Sequence, residues 1–211
     1  FLRKIKRLKD PYYIICGFGD TGQSLVKTMF QNDQRAVVID NEPARVDLID
    51  AQDWDYSLPA LIGNADDSNN LTKAGIQQDN CKGVIAMTQN DNTNLQIALS
   101  AKILEPNLKV ICRVQTLDAQ RNMESFGTDL VVNPYVTFAD DFVLAMEKPS
   151  MYLLERWITA PADTPLIEPV FPPKGHWILC GFGRFGKAMY QRLLELGNPV
   201  TVVEAKPNWT H

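Results

Sequence analysis

Tyr12 to Asp40 reads YYIICGFGDTGQSLVKTMFQNDQRAVVID. An apolar run, Tyr12 to Cys16, stops at the first of three closely spaced glycines, Gly17, Gly19 and Gly22. Leu25, Val26 and Met29 then recur at helical spacing, and Ala36 to Asp40 is a second apolar run closed by an acid. The order strand, glycine turn, helix, strand is the opening of a parallel βαβ unit. Its glycines meet three needs: a tight turn at Gly17, close backbone approach at Gly19, and packing of helix on strand at Gly22.

The same rhythm continues along the chain. Pro43 opens a helix as a good first-turn residue, ALIG (Ala60 to Gly63) is a short strand, and Ser68 to Ala74 is a short helix ended by Gly75. GVIAM (Gly83 to Met87) precedes a helix over Asp91 to Leu104, with Asp91 as its expected cap and Pro106 beyond its end. KVICRV (Lys109 to Val114), a helix near Asp118 to Ser125, DLVVN (Asp129 to Asn133) and a helix from Pro134 to about Met146 follow. Nearly continuous Val- and Ile-rich runs imply strands buried on both faces. Alternation with helices then gives an α/β fold, a Rossmann-like doubly wound parallel sheet with right-handed crossovers.

Composition shifts after Lys148, where six prolines lie between Pro149 and Pro173. Met151 to Ile158 could form a short amphipathic helix, and the rest reads as a semi-rigid connector. Beyond it the opening repeats: Gly181, Gly183 and Gly186 match Gly17, Gly19 and Gly22, Cys180 matches Cys16, and Glu204 falls where Asp40 does. Shared spacing across strand, turn, helix, strand and acid argues for a duplicated unit. The expected organisation is a basic segment over 1–10, a nucleotide-binding domain over 11–146, a linker over 147–175, and the incomplete start of a second such domain over 176–211.

The net charge of −4 argues against a nucleic-acid partner, which needs a concentrated positive face. Against that balance stand Arg3, Lys4, Lys6, Arg7 and Lys9, read either as a solvated leader or as a juxtamembrane segment. The first residue is Phe1, which reads as a piece of a longer protein. Cys16, Cys81, Cys112 and Cys180 form no CxxC pair and suit reduced thiols in a cytosolic protein.

After a strand and before a helix, the glycine turn predicts a phosphate cradle. Backbone N–H groups of Gly19, Asp20 and Thr21 would face a pyrophosphate, aided by the helix dipole. Asp40, at the tip of the second strand, would accept from ribose hydroxyls and repel a 2′-phosphate, favouring NAD(H) or adenine nucleotides over NADP(H). The alternative is a tight turn that binds nothing. Gly181 to Lys187 also approaches the ATPase phosphate loop, but Ala188 stands where a Mg²⁺-binding hydroxyl is required. The histidines are His176 and His211 alone, and no Tyr-x-x-x-Lys pair or metal-ligand cluster is present. Asp66–Asp67 and Asp140–Asp141 read as loop or cap positions rather than cation sites. A nucleotide site without catalytic machinery points to sensing rather than to an enzyme.

These residues resemble the regulator of K⁺ conductance (RCK) family, also called TrkA-N domains. Besides CGFGDTG and Asp40, the resemblance rests on GNADDSNNLTKAGI (Gly63 to Ile76), VIAMTQNDNTNLQIALSAKIL (Val84 to Leu104), VICRV (Val110 to Val114) and FGTDLVVNP (Phe126 to Pro134). GHWILCGFGRFG (Gly175 to Gly186) is similar to the start of another such domain, and tandem RCK domains occur beneath some potassium channels. The resemblance implies a regulatory module on the cytoplasmic face of the membrane. It would form a homodimer within a larger gating ring and act on a transmembrane potassium pore through the segment ahead of Pro11.

Its ligand would be NAD(H), or else ADP, ATP or AMP. Gly17, Phe18, Gly19, Asp20, Thr21 and Gly22 would hold phosphates, and Asp40 with Asn41 the ribose. Asn64 and Ala65 would border the adenine, and Thr88 and Gln89 the far half of the nucleotide. Arg113 would approach the phosphates or a partner subunit, with a plain surface ion pair as the alternative. The family usually has Asp-Ala-Thr after the third-strand glycine, whereas Asn64, Ala65 and Asp66 stand here, which bears on adenine preference. The competing reading is an NAD-dependent oxidoreductase whose catalytic domain lies outside this chain.

Overall fold

A computed structural model describes residues 1–54, 56–160, 165 and 172–206. The chain divides into two compact units, Phe1–Asn133 and Pro134–His211.

The first unit opens with α1 (Leu2–Arg7), followed by β1 (Tyr12–Cys16), α2 (Asp20–Gln31), β2 (Arg35–Asp40), α3 (Pro43–Ala51), β3 (Ala60–Ile62) and α4 (Ser68–Lys73). It continues through β4 (Cys81–Ala86), α5 (Asp91–Leu104), β5 (Lys109–Arg113), α6 (Leu117–Ser125) and β6 (Leu130–Val132). The strands form one parallel sheet in the order β3-β2-β1-β4-β5-β6. Strand order reverses between β1 and β4, and open sheets of this kind bind ligands in the crevice at that point, outside the carboxyl ends of the strands.

The two-residue period of a strand sends alternate side chains to opposite faces. Ile14, Cys16, Val37, Ile39, Val84 and Val110 pack on one face with Leu71 of α4, Ile97, Ala98 and Ala101 of α5, and Met123 of α6. Ile15, Val38 and Ile85 face the other way, against Val26, Met29 and Phe30 of α2 and Ile49 of α3. Ile5 of α1 is also buried in the first of these clusters, with Phe1 and Leu8 packed against it, so the basic segment is a short helix tied to the domain by its apolar side chains. Asn80 adds to that tie, its Nδ2 donating to the carbonyls of Leu8 and Asp10 at 2.8 and 3.2 Å.

One local expectation changes and another holds. Asp91 does not cap α5: Asn90, still extended, does so by accepting the Thr93 N–H at 3.0 Å. Asp91 stands one position inside the helix, and its carboxylate accepts the Gln115 N–H instead. Asp67 caps α4 by accepting from the Asn69 N–H, the role its loop position suggested.

The second unit contains α7 (Pro134–Glu147), α8 (Pro149–Thr159), β7 (Trp177–Cys180), α9 (Arg184–Glu195) and β8 (Val200–Val203), with β7 and β8 paired in parallel. Sequence grouped α7 with the first domain, but it buries Ala139 and Met146 against Met189 and Leu193 of α9. Arg192 of α9 reinforces that contact, lying 2.7 Å from Asp140. The helix expected within Met151 to Ile158 runs from Pro149 to Thr159. The proline-rich connector over 161–164 and 166–171 lies outside the described residues.

Candidate functional site

A cleft of about 500 Å³ opens at the carboxyl ends of the first unit's strands, a size within the usual range for small-ligand sites. Its floor is the turn from β1 into α2. Gly17 adopts φ +102°, and a Cβ there would meet the backbone of Met87 and Thr88 at 3.1 Å. Gly22 is as constrained, since a Cβ would lie 2.2 Å from the Gly17 carbonyl oxygen. Gly19 differs: it is the N-cap of α2 with ordinary extended backbone, and among the described residues, its chain neighbours aside, no atom lies within 4 Å of its Cβ position. Here the glycine leaves open space on the cleft side, and the first-turn N–H groups of α2 have no intrahelical acceptor.

The walls come from successive strand ends. Asp40 and Asn41 close β2, Asn64 and Ala65 follow β3, Thr88 and Gln89 follow β4, and Arg113 ends β5. All of these line the cleft together with Gly17, Gly19, Asp20, Thr21 and Gly22. Phe18 does not line it. Its ring is buried in the second core cluster, edge-on to Trp54 at 6.3 Å, because the turn sends this side chain to the α2–α3 face of the sheet.

Asp40 is only 3% exposed. Its Oδ2 accepts the Phe18 N–H at 2.5 Å and its Oδ1 accepts the Glu42 N–H at 2.8 Å. Arg45 of α3 lies 3.4 Å from Oδ2. The acid therefore ties the glycine turn to the tip of β2, and a carboxylate retains further lone pairs for ribose hydroxyls. Arg45 also lines the cleft, as do Gly63, Asp66, Met87, Asn90 and Thr93; of these, sequence had marked only Gly63 and Asp66, and neither as a ligand contact. Arg45 was within reach of sequence reasoning. It is the third residue of a helix opened by Pro43, one turn past the acid.

Among the described residues, no histidine, lysine, tyrosine or cysteine lines the cleft wall. The three cysteines nearest the sheet core are inert by environment. Burial pushes the Cys112 thiol up to about 12 and, against a bond from Gly83 and the charge of Lys82, the Cys81 thiol up to about 11. Burial, followed by the neighbouring Cys112 and Cys81, raises Cys16 as well.

The second glycine turn repeats the first in detail. The Phe182 N–H donates to Glu204 Oε2 at 2.6 Å, and the Lys206 N–H to Oε1 at 2.8 Å. These two backbone donors, Lys206 foremost, hold the Glu204 carboxyl below the usual carboxylate range. Gly183 caps α9 with nearly the dihedrals of Gly19, and a Cβ on Gly186 would strike the Gly181 oxygen at 2.2 Å. Gly181, though at φ +99°, has no counterpart of the Met87–Thr88 wall among the described residues. A more open space of about 790 Å³ lies there, lined by Tyr135 and by residues 180–187.

Among the described residues, no helix is long and apolar enough to cross a membrane. The family model of the TrkA-N domain matches residues 13–134. The chain is 30% identical over 133 residues to Potassium channel protein 1 of Methanocaldococcus jannaschii, covering 63% of this chain and 38% of that protein. It is 26% identical over 126 residues to the voltage-gated potassium channel Kch of Escherichia coli, covering 60% and 30%. The chain thus spans well under half the length of these curated relatives. Its fold is similar to that of the GsuK channel bound to NAD, with a TM-score of 0.68 at 13% identity, covering 96% of this chain and 50% of that one. GsuK bound to ADP gives a TM-score of 0.67 at 14% identity, covering 94% and 45%. With the matched residues spanning the whole sheet and its cleft, the chain belongs to the TrkA-N (RCK) domain family.

Proposed function

We propose that this chain is the nucleotide-sensing regulatory part of a potassium channel or transporter, placed on the cytoplasmic face of the membrane. The observation that carries the reading is the cleft at the β1–β4 switch point. It combines an open Gly19, exposed first-turn N–H groups of α2, and an acid at the tip of β2. That constellation suits a phosphate at the turn and a ribose beside Asp40. NAD(H) is the favoured ligand, with ADP, ATP or AMP as smaller occupants of the adenosine side. NAD and ADP are the ligands bound by GsuK, whose fold this chain shares.

The relatives are potassium channels, which supports a regulatory role on a transmembrane pore supplied by the parent protein. A ligand acts on such a pore only through different affinities for two conformations, typically worth about 1–3 kcal/mol of coupling. A homodimer within a larger ring would transmit that difference. An oxidoreductase has less support, since among the described residues the cleft wall offers no proton donor or acceptor of the histidine, lysine, tyrosine or cysteine type beside a nicotinamide.

Calorimetry with NAD⁺, NADH, NADP⁺, ADP, ATP and AMP tests the reading. Saturable binding of NAD⁺ or an adenine nucleotide at submillimolar concentration is expected, and its weakening in Gly19→Val. If none of the six binds, the nucleotide-sensing function is wrong.

A further inference from the structure

Asn94 lies on α5, away from the cleft surface, and is 0% exposed. A fully buried primary amide is costly unless each of its groups is bonded. Here they are. Oδ1 accepts the Thr88 N–H at 3.0 Å and lies 2.6 Å from Thr88 Oγ1, while Nδ2 donates to the carbonyls of Thr88 at 3.0 Å and Arg113 at 2.8 Å. The amide orientation is fixed by chemistry, because only the oxygen can accept from an N–H and only the NH₂ can serve two carbonyls.

Thr88 and Arg113 are the cleft residues that end β4 and β5. Thr88 lies against Gly17 at the start of the glycine turn, while the turn's tie to Asp40 is a separate bond, from the Phe18 N–H. The strand order places β2 and β3 on one side of β1, and β4 and β5 on the other. A ligand with its phosphates at the turn therefore lays one half over Asp40 and Asn41 and the other over Thr88 and Arg113. One turn earlier on α5, Asp91 accepts from the Gln115 N–H at 3.0 Å and from Thr116 Oγ1 at 3.1 Å, gripping the segment just after Arg113.

We propose that Asn94 is a positioning residue for the β4–β5 half of the nucleotide cleft, setting affinity for whatever a ligand places beyond the phosphate turn. The proposal rests on the nucleotide reading above for its ligand class, while the hold of Asn94 on Thr88 can be measured without any ligand.

The test compares wild type, Asn94→Asp and Asn94→Ser. Asn94→Asp keeps the shape but sets a carboxylate oxygen against the two carbonyls, and Asn94→Ser shortens the reach without adding charge. Calorimetry on the full chain should show NAD⁺ binding weakened at least tenfold and AMP binding within twofold of wild type. In ligand-free Asn94→Ser, which withdraws the acceptor of the Thr88 N–H, amide hydrogen exchange at Thr88 should quicken at least tenfold while β1 and β2 amides keep their protection. Equal weakening of NAD⁺ and AMP, or no weakening of either, overturns the proposal. Should wild type bind neither nucleotide, the nucleotide reading falls; unchanged Thr88 exchange in folded Asn94→Ser then overturns the positioning role by itself. If Asn94→Asp does not fold, Asn94→Ser carries the same comparisons.

Discussion

The backbone N–H of Phe18 donates to the carboxylate of Asp40 at 2.5 Å, and twenty-two positions apart in the second unit Phe182 does the same to Glu204 at 2.6 Å. The acid after the second strand is therefore a structural element of the turn as well as a candidate ribose acceptor. Asp40→Ala leaves a buried N–H without its charged acceptor, a loss of about 2–3 kcal/mol. Urea denaturation of the ligand-free protein should show this drop, with the midpoint falling and the slope unchanged. Wild-type stability in Asp40→Ala would mean the bond contributes nothing.

Gly17 and Gly19 separate folding from binding. Gly17→Ala places a Cβ at 3.1 Å from backbone in a left-handed conformation, and is expected to cost about 1–3 kcal/mol. Gly19→Ala meets no atom of the described residues beyond its chain neighbours, and should melt within a degree or two of wild type while losing nucleotide affinity. Thermal melts and calorimetry on the pair check both halves. A Gly19→Ala protein that binds as wild type would show that no ligand approaches this backbone.

Arg45 offsets the charge that Asp40 presents to the cleft, from a side chain 43% exposed. Removing it should leave stability nearly unchanged, as for most partly solvated pairs. Selectivity should move: Arg45→Ala is expected to weaken NADP⁺ about tenfold more than NAD⁺, roughly 1.4 kcal/mol, because the cation nearest the ribose side is gone. Competition calorimetry with the two dinucleotides reads the ratio directly.

Acid sensitivity should centre on Asp129. Partial burial opposes its ionisation, but Lys102 at 2.7 Å, the Val110 N–H and Lys109 outweigh it and lower its carboxyl to about 2. A carboxyl depressed in the folded state contributes stability that is present above its unfolded value of 3.8 and lost as pH falls from there towards 2. Asp129→Asn should be less stable than wild type at pH 7, and the difference should shrink between pH 4 and 2. Denaturation midpoints across that range decide it.

Thiol chemistry should be selective. Cys16, Cys81 and Cys112 are buried, and Cys180 is exposed at the end of β7. A thiol-disulfide reagent at neutral pH should modify Cys180 rapidly in the native protein and the other three only on unfolding. Cys180→Ser should abolish the fast phase, and peptide mapping would identify the site.

Much of this protein is legible without coordinates because its signals are local. Apolar runs beside glycine set β1 and β4, an apolar run closed by an acid sets β2, Pro43 sets the start of α3, and the repeated interval from Gly17 to Asp40 and from Gly181 to Glu204 marks the duplicated turn. What escaped were relationships in which neighbouring residues compete for one role. Asn90 rather than Asp91 caps α5, because the cap must still be extended while its neighbour is already helical. Phe18, inside the motif, turns into the core because the tight turn at Gly17 aims its side chain away from the cleft.

The strand–turn–helix order and the residue types at each strand end follow from the chain alone, since periodicity and glycine geometry act over a few residues. Three further matters were settled by folding. It joined α7 to α9, gave Arg45 to the cleft, and made Asn94 the bridge between Thr88 and Arg113. Each depends on which distant surfaces a side chain finds once the sheet has assembled, and a buried amide's partners cannot be read from spacing along the chain.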